Sequence, residues 1–62
     1  MTLLEVKEYF VTAYRFSKLT KMSPNNWENW ERRGFIPYDS QRRIERSTLG
    51  RLIASVKDLP EL

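Results

Sequence analysis

Apolar residues recur along this chain at helical spacing, in short stretches separated by capping and turn residues. Leu3, Val6 and Phe10 stand at i, i+3 and i+7, and Thr2 followed by Glu5 has the form of a capping box. The first ten residues therefore predict a helix, with Lys7 and Glu8 facing water. Thr12 is the next preferred N-cap, and Ala13, Phe16 and Leu19 or Thr20 predict a second helix ending near Lys21. Ser23-Pro24 predicts the start of a third helix, because serine caps well and a proline at the first helical position leaves no N–H unsatisfied. This helix is expected from Pro24 to about Arg33, where Gly34 stops it and Phe35-Ile36-Pro37 forms an apolar connector. A fourth helix is expected from about Tyr38 or Asp39 to Thr48, anchored by Ile44 and ended near Gly50. Residues Leu52 to Val56 are too few to type by period; a last helical turn, irregular chain or a short strand all fit. The predicted fold class is all-α, with four to five short helices containing a helix-turn-helix and a possible C-terminal strand as the open element. The domain is expected over 1–56, with 57–62 as a tail.

The third helix carries the sharpest division of faces. Trp27 and Trp30 lie three apart on one side, while Asn25, Glu28, Asn29 and Arg32 fall on the other at i, i+3, i+4 and i+7. The tryptophans are expected to pack against Ala13, Phe16 and Leu19 of the second helix, which would hold the third helix rigidly and leave its polar side outward. Two helices joined by about three residues, the second opened by Ser-Pro, form the outline of a helix-turn-helix.

Composition narrows what that outline can serve. A chain of 62 residues makes one domain, burying roughly 60% of the surface its unfolded form exposes. The chain has 40% hydrophobic residues and eight aromatics, enough for a compact globule. It has no cysteine and no histidine, which removes disulfides, Cys/His metal sites, thiolate nucleophiles and imidazole bases, and no carboxylate pair suggests acid–base work. An enzyme is not expected, nor any metal or cofactor. No apolar run approaches the ~18 residues of a membrane span and no signal-peptide pattern opens the chain, so a soluble protein that remains where it is made is expected. The net charge of +3 favours a polyanionic partner. Its distribution says more: Arg32, Arg33, Arg42, Arg43, Arg46 and Arg51 face only Glu31, Asp39 and Glu45 in the same stretch.

Side-chain chemistry then assigns candidate roles. Asparagine offers a donor and an acceptor together, matching the N6/N7 edge of adenine, and glutamate accepts from cytosine N4. Asn25, Asn29 and Glu28 are thus candidate base readers, with Arg32 able to reach guanine or phosphate. Ser23 and Asn26 at the helix start, Arg15 and Lys18 on the second helix, Lys21 at the turn and Arg42 on the fourth helix are candidate contacts to the DNA backbone.

The runs Thr12-Ala13-Tyr14-Arg15-Phe16-Ser17, Met22-Ser23-Pro24-Asn25-Asn26-Trp27-Glu28-Asn29-Trp30, Arg33-Gly34-Phe35-Ile36-Pro37, Arg43-Ile44-Glu45 and Thr48-Leu49-Gly50-Arg51-Leu52 resemble the Cro repressors of lambdoid bacteriophages. The resemblance covers about residues 6 to 54 and is most specific in its second half. It implies a homodimer that binds a double-stranded DNA operator and represses transcription, acting in the cytoplasm of a bacterial host in association with the nucleoid. Weak dimerisation through Phe35, Leu52, Ile53 or Val56, formed or strengthened on DNA, is the corresponding expectation. The chain departs from the family pattern at Val11, at Thr20, at Asn25 and Asn26, and at Lys21, where glycine is usual and a left-handed backbone is implied. Two other readings compete. An excisionase-like or MerR-like architectural DNA-binding factor would show a β-hairpin wing after Pro37, whereas a protein-interaction or antitoxin-like module would use the apolar C-terminal segment.

Overall fold

The computed structural model describes residues 1–60, which form four α-helices and one short 3₁₀ turn, with no strand among the described residues. The helices are α1 (Leu3–Phe10), α2 (Ala13–Thr20), α3 (Asn26–Arg33) and α4 (Tyr38–Ser47), and the 3₁₀ turn is Val56–Asp58. The fold is therefore all-α, and residues 52–55 are irregular rather than strand.

The start of α1 follows from its capping box: the Glu5 N–H donates to Thr2 Oγ1 at 3.2 Å, and the Thr2 N–H donates to Glu5 Oε1 at 2.9 Å. Thr12 opens α2 in the same manner, accepting from the Arg15 N–H at 3.1 Å. Between them Val11 has φ 73 and ψ −49, and the Thr12 N–H donates to the Phe10 carbonyl at 2.8 Å, closing a γ-turn around Val11. Positive φ is costly for a β-branched residue. Val11 is also 64% exposed, so its side chain contributes little packing. Val11→Gly is expected to stabilise the domain by about 1 kcal/mol, raising the melting midpoint by roughly 4–8 °C. A lower midpoint in thermal circular dichroism would contradict the strain assigned to this turn.

Lys21 ends α2 in the left-handed region, at φ 63 and ψ 20, the conformation expected from the glycine usual at this turn in the pattern it resembles. The preceding residue corrects the expected register: Leu19 is exposed and Thr20 is buried. Thr20 is accommodated because its hydroxyl donates to the Phe16 carbonyl at 2.7 Å and accepts from the Met22 N–H at 3.2 Å.

The start of α3 is corrected as well. The Asn26 N–H donates to the Ser23 carbonyl at 3.2 Å and the Trp27 N–H to the Pro24 carbonyl at 3.3 Å. These are i→i+3 bonds, so Ser23-Pro24 opens a tight turn and the α-helix proper begins at Asn26, with Asn25 as its N-cap. Ser23 Oγ still serves the turn, accepting from the Asn25 N–H at 3.3 Å. Gly34, at φ 85, closes α3 as expected.

The core comprises Met1, Val6, Phe10, Phe16, Met22, Trp30, Ile36, Ile44 and Leu52, with Leu3 and Trp27 packed against it. Phe16 is its centre. Its ring lies 5.4 Å from Phe10 and 5.6 Å from Trp30, both edge to face, and 5.7 Å from Trp27. A 3.2 Å ion pair between Lys7 and Glu31 ties α1 to α3. A polar hub closes the other end: buried Gln41 accepts on Oε1 from the Met1 ammonium and from the Ser55 N–H, both at 2.8 Å, and donates to the Ile36 carbonyl at 2.9 Å. The same ammonium pairs with Asp58 at 2.9 Å, which ties the start of the expected 57–62 tail back onto the domain. Glu61 and Leu62 lie outside the described residues.

Candidate nucleic-acid interface

Helix α3 is held by one face and free on the other. Trp30 is buried and Trp27 half-buried against Phe16, while Asn25, Glu28, Asn29 and Arg32 are all exposed. The Trp27 indole N–H is buried without a hydrogen-bond partner, so this residue serves packing and offers nothing polar to the outside. On the exposed face a guanidinium N–H of Arg32 donates to Asn29 Oδ1, one helical turn earlier. The Asn25 side chain makes no capping bond to the helix it precedes.

Beside this face runs an open groove between α3 and the start of α4, lined by Asn26, Asn29, Trp30, Arg32, Arg33, Pro37 and Ser40. Its lining contains two guanidinium groups, two amides and a hydroxyl, and no carboxylate. Three of the residues singled out from sequence, Asn26, Asn29 and Arg32, meet here. Arg33 and Ser40 were not singled out. The short connection Gly34 to Pro37 returns the chain so that the first turn of α4 stands beside the last turn of α3, and helical periodicity within either segment carries no sign of that juxtaposition.

The remaining basic candidates lie outside the groove lining. Arg15 and Lys18 are exposed on α2, and the Lys18 ammonium sits 5.4 Å from the centre of the Tyr14 ring. Lys21 and Ser23 are exposed in the turn between α2 and α3. Arg42 is exposed on α4, where the Tyr38 side chain one turn earlier, and then Glu45, raise its pKa above the ordinary arginine value. It is cationic at any working pH.

The apolar residues expected at a dimer contact are divided by the fold. Leu52 is only 8% exposed and belongs to the core, so it is not available at the surface. Ile53 and Val56 are exposed to 66% each, and Phe35 is half-buried. Leu49 is exposed to 91% and was not singled out from sequence. No helix among the described residues is long and apolar enough to cross a membrane. Comparisons of the chain with protein-family models, with curated proteins and with solved structures give no match.

Proposed function

We propose that this chain is a sequence-specific double-stranded DNA-binding repressor of the Cro type, a binding protein rather than an enzyme, that places α3 in the major groove of a pseudo-palindromic operator as a homodimer. The observation that carries the reading is the division of α3: its tryptophan side is fixed on the core through Phe16, while Asn25, Glu28, Asn29 and Arg32 are exposed together. A helix held rigidly by one face with amides and a guanidinium on the other suits base-edge recognition, because groove readout needs donors and acceptors at fixed positions. Asn26, Ser23 and Lys21 at the start of α3, with Arg15 and Lys18 on α2 and Arg42 on α4, supply the phosphate contacts that set register. One domain of this size reads too few base pairs for high specificity, which pairing on a two-fold site remedies. Phe35, Ile53 and Val56 are the surface residues assigned to that pairing, and Leu49 joins them.

The helical course of Tyr38–Ser47, where an excisionase-like or MerR-like factor would carry a wing, favours the Cro-type reading. Selection of bound duplexes from a random library is the decisive experiment. A consensus with two-fold symmetry is expected; absence of any enriched sequence would overturn the assignment and turn attention to the interaction-module reading.

A further inference from the structure

We infer that Asn29 and Arg32 form one reading unit with a donor-only outer face, and that this unit selects guanine over adenine at its position in the major groove. This rests on the DNA-binding reading above and sharpens it to a base.

The starting observation is the bond from Arg32 to Asn29 Oδ1 on the exposed side of α3. Chemistry fixes which amide atom is involved, since a guanidinium carries five N–H donors and no acceptor and only the carbonyl oxygen can face it. An isolated asparagine presents one acceptor beside one donor, the complement of adenine N6 and N7. In the pair, that acceptor is turned to the arginine. What remains outward is the Asn29 amide NH₂ and the other guanidinium N–H groups, all of them donors. The second lone pair of Oδ1 does not restore the adenine match. The guanidinium bonded to that oxygen adds N–H donors beside the one remaining acceptor site, and the adenine amino group is itself a donor that they cannot serve. Guanine, in contrast, offers N7 and O6 as two adjacent acceptors, which is the pattern a donor-only face requires.

The surroundings leave this face intact. The groove lining on one side of the pair contains Arg33, Asn26 and Ser40 and no carboxylate that would draw the free N–H groups away. On the other side Arg32 lies beside Glu28 and Glu31. Glu31 is engaged with Lys7 at 3.2 Å, and among the described residues Glu28 forms no ion pair with Arg32, whose bond goes to Asn29. The i, i+3 spacing keeps both side chains on one helical face, so they approach the same base step.

The test compares duplexes selected by the parent chain, by Asn29→Ala and by Arg32→Ala. Both side chains are exposed, and thermal melts of the variants should match the parent. Asn29→Ala identifies the position, as the one whose preference weakens. There the parent is expected to prefer guanine over adenine by about tenfold or more. Arg32→Ala frees Oδ1 and should shift the preference at that same position towards adenine while the other positions keep theirs. Undiminished guanine preference in Arg32→Ala, adenine preference in the parent, or an unchanged consensus in Asn29→Ala would each overturn the inference and leave the DNA-binding reading standing. A parent chain that enriches no sequence overturns the reading itself.

Discussion

Trp30→Ala is expected to cost the domain at least about a third of its folding stability. Trp30 is 3% exposed, packs edge to face on Phe16 at 5.6 Å, and belongs to the helix that carries the exposed amides. Truncating a buried tryptophan leaves a cavity and loses its contacts, at a cost of about 3–5 kcal/mol. A domain of 62 residues has about 3–9 kcal/mol of stability in total, so the loss removes between a third and all of it. Trp27→Phe is the control. Trp27 is half-buried, its ring lies 5.7 Å from Phe16 at a tilt, and its indole N–H has no partner, so phenylalanine retains most of the aromatic contact and deletes a buried unsatisfied donor. Its stability is expected within about 1 kcal/mol of the parent. Urea titrations followed by circular dichroism measure both. A Trp30→Ala protein as stable as the parent would mean that α3 is not held by its tryptophan face, and the assignment of Asn25, Glu28, Asn29 and Arg32 as its outward side would fall with it.

What the sequence made legible is whatever is local. Thr2 with Glu5 and Thr12 act within one turn of themselves, and Trp27 and Trp30 declare a face by their spacing, so the helices and the inner side of α3 could be read directly. Lys21 was legible as a left-handed residue only through the resemblance, whose pattern has a glycine at this turn. The errors come from hydrogen bonds that periodicity does not see. Ser23-Pro24 was placed at the helix start, yet its carbonyls close i→i+3 bonds and delay α3 to Asn26. Leu19 was expected to pack against the tryptophans, yet Thr20, offered as the alternative inward residue, is the buried one, its hydroxyl satisfied inside the fold by Phe16 and Met22. Leu52 was assigned to a dimer contact in a segment whose secondary structure had no period to fix it, whereas its N–H donates to Thr48 Oγ1 at 3.1 Å and its side chain enters the core. On the outer side of α3 the exposure of Asn25, Glu28, Asn29 and Arg32 was legible and the bond between two of them was not drawn out. The i, i+3 spacing of Asn29 and Arg32 was present in the sequence, and the bond between them changes what the asparagine can offer.

Gln41→Leu is expected to cost about 2–5 kcal/mol, the second large effect, and for a reason opposite to that at Trp30. Leucine is close to glutamine in volume and would fill the site, so the penalty does not come from a cavity. It comes from three groups that Gln41 alone joins: the Met1 ammonium, the Ser55 N–H and the Ile36 carbonyl, at 2.8, 2.8 and 2.9 Å. Replacing a buried polar side chain by an apolar one is near neutral only when its partners are removed too, and backbone groups cannot be. The ammonium keeps Asp58 and the Ile53 carbonyl, at 2.9 and 3.2 Å, but Ser55 and Ile36 lose the partners described here. Gln41→Glu separates hydrogen bonding from packing. Its carboxylate still accepts from the ammonium and from Ser55, while its second oxygen faces the Ile36 carbonyl acceptor to acceptor, so its stability should fall below the parent's even though two of the three bonds are kept. The consequence reaches function through position. Gln41 joins the segment preceding α4 to residues 53–58, so loosening it frees the chain that presents Ile53 and Val56. On the proposed reading of the chain as a dimeric operator-binding protein, affinity for the selected duplex is expected to fall more steeply with dilution in Gln41→Leu than in the parent, as the proposed pairing weakens. Equal stability of Gln41→Leu and parent in urea titration would show that this end of the domain is held by apolar packing alone.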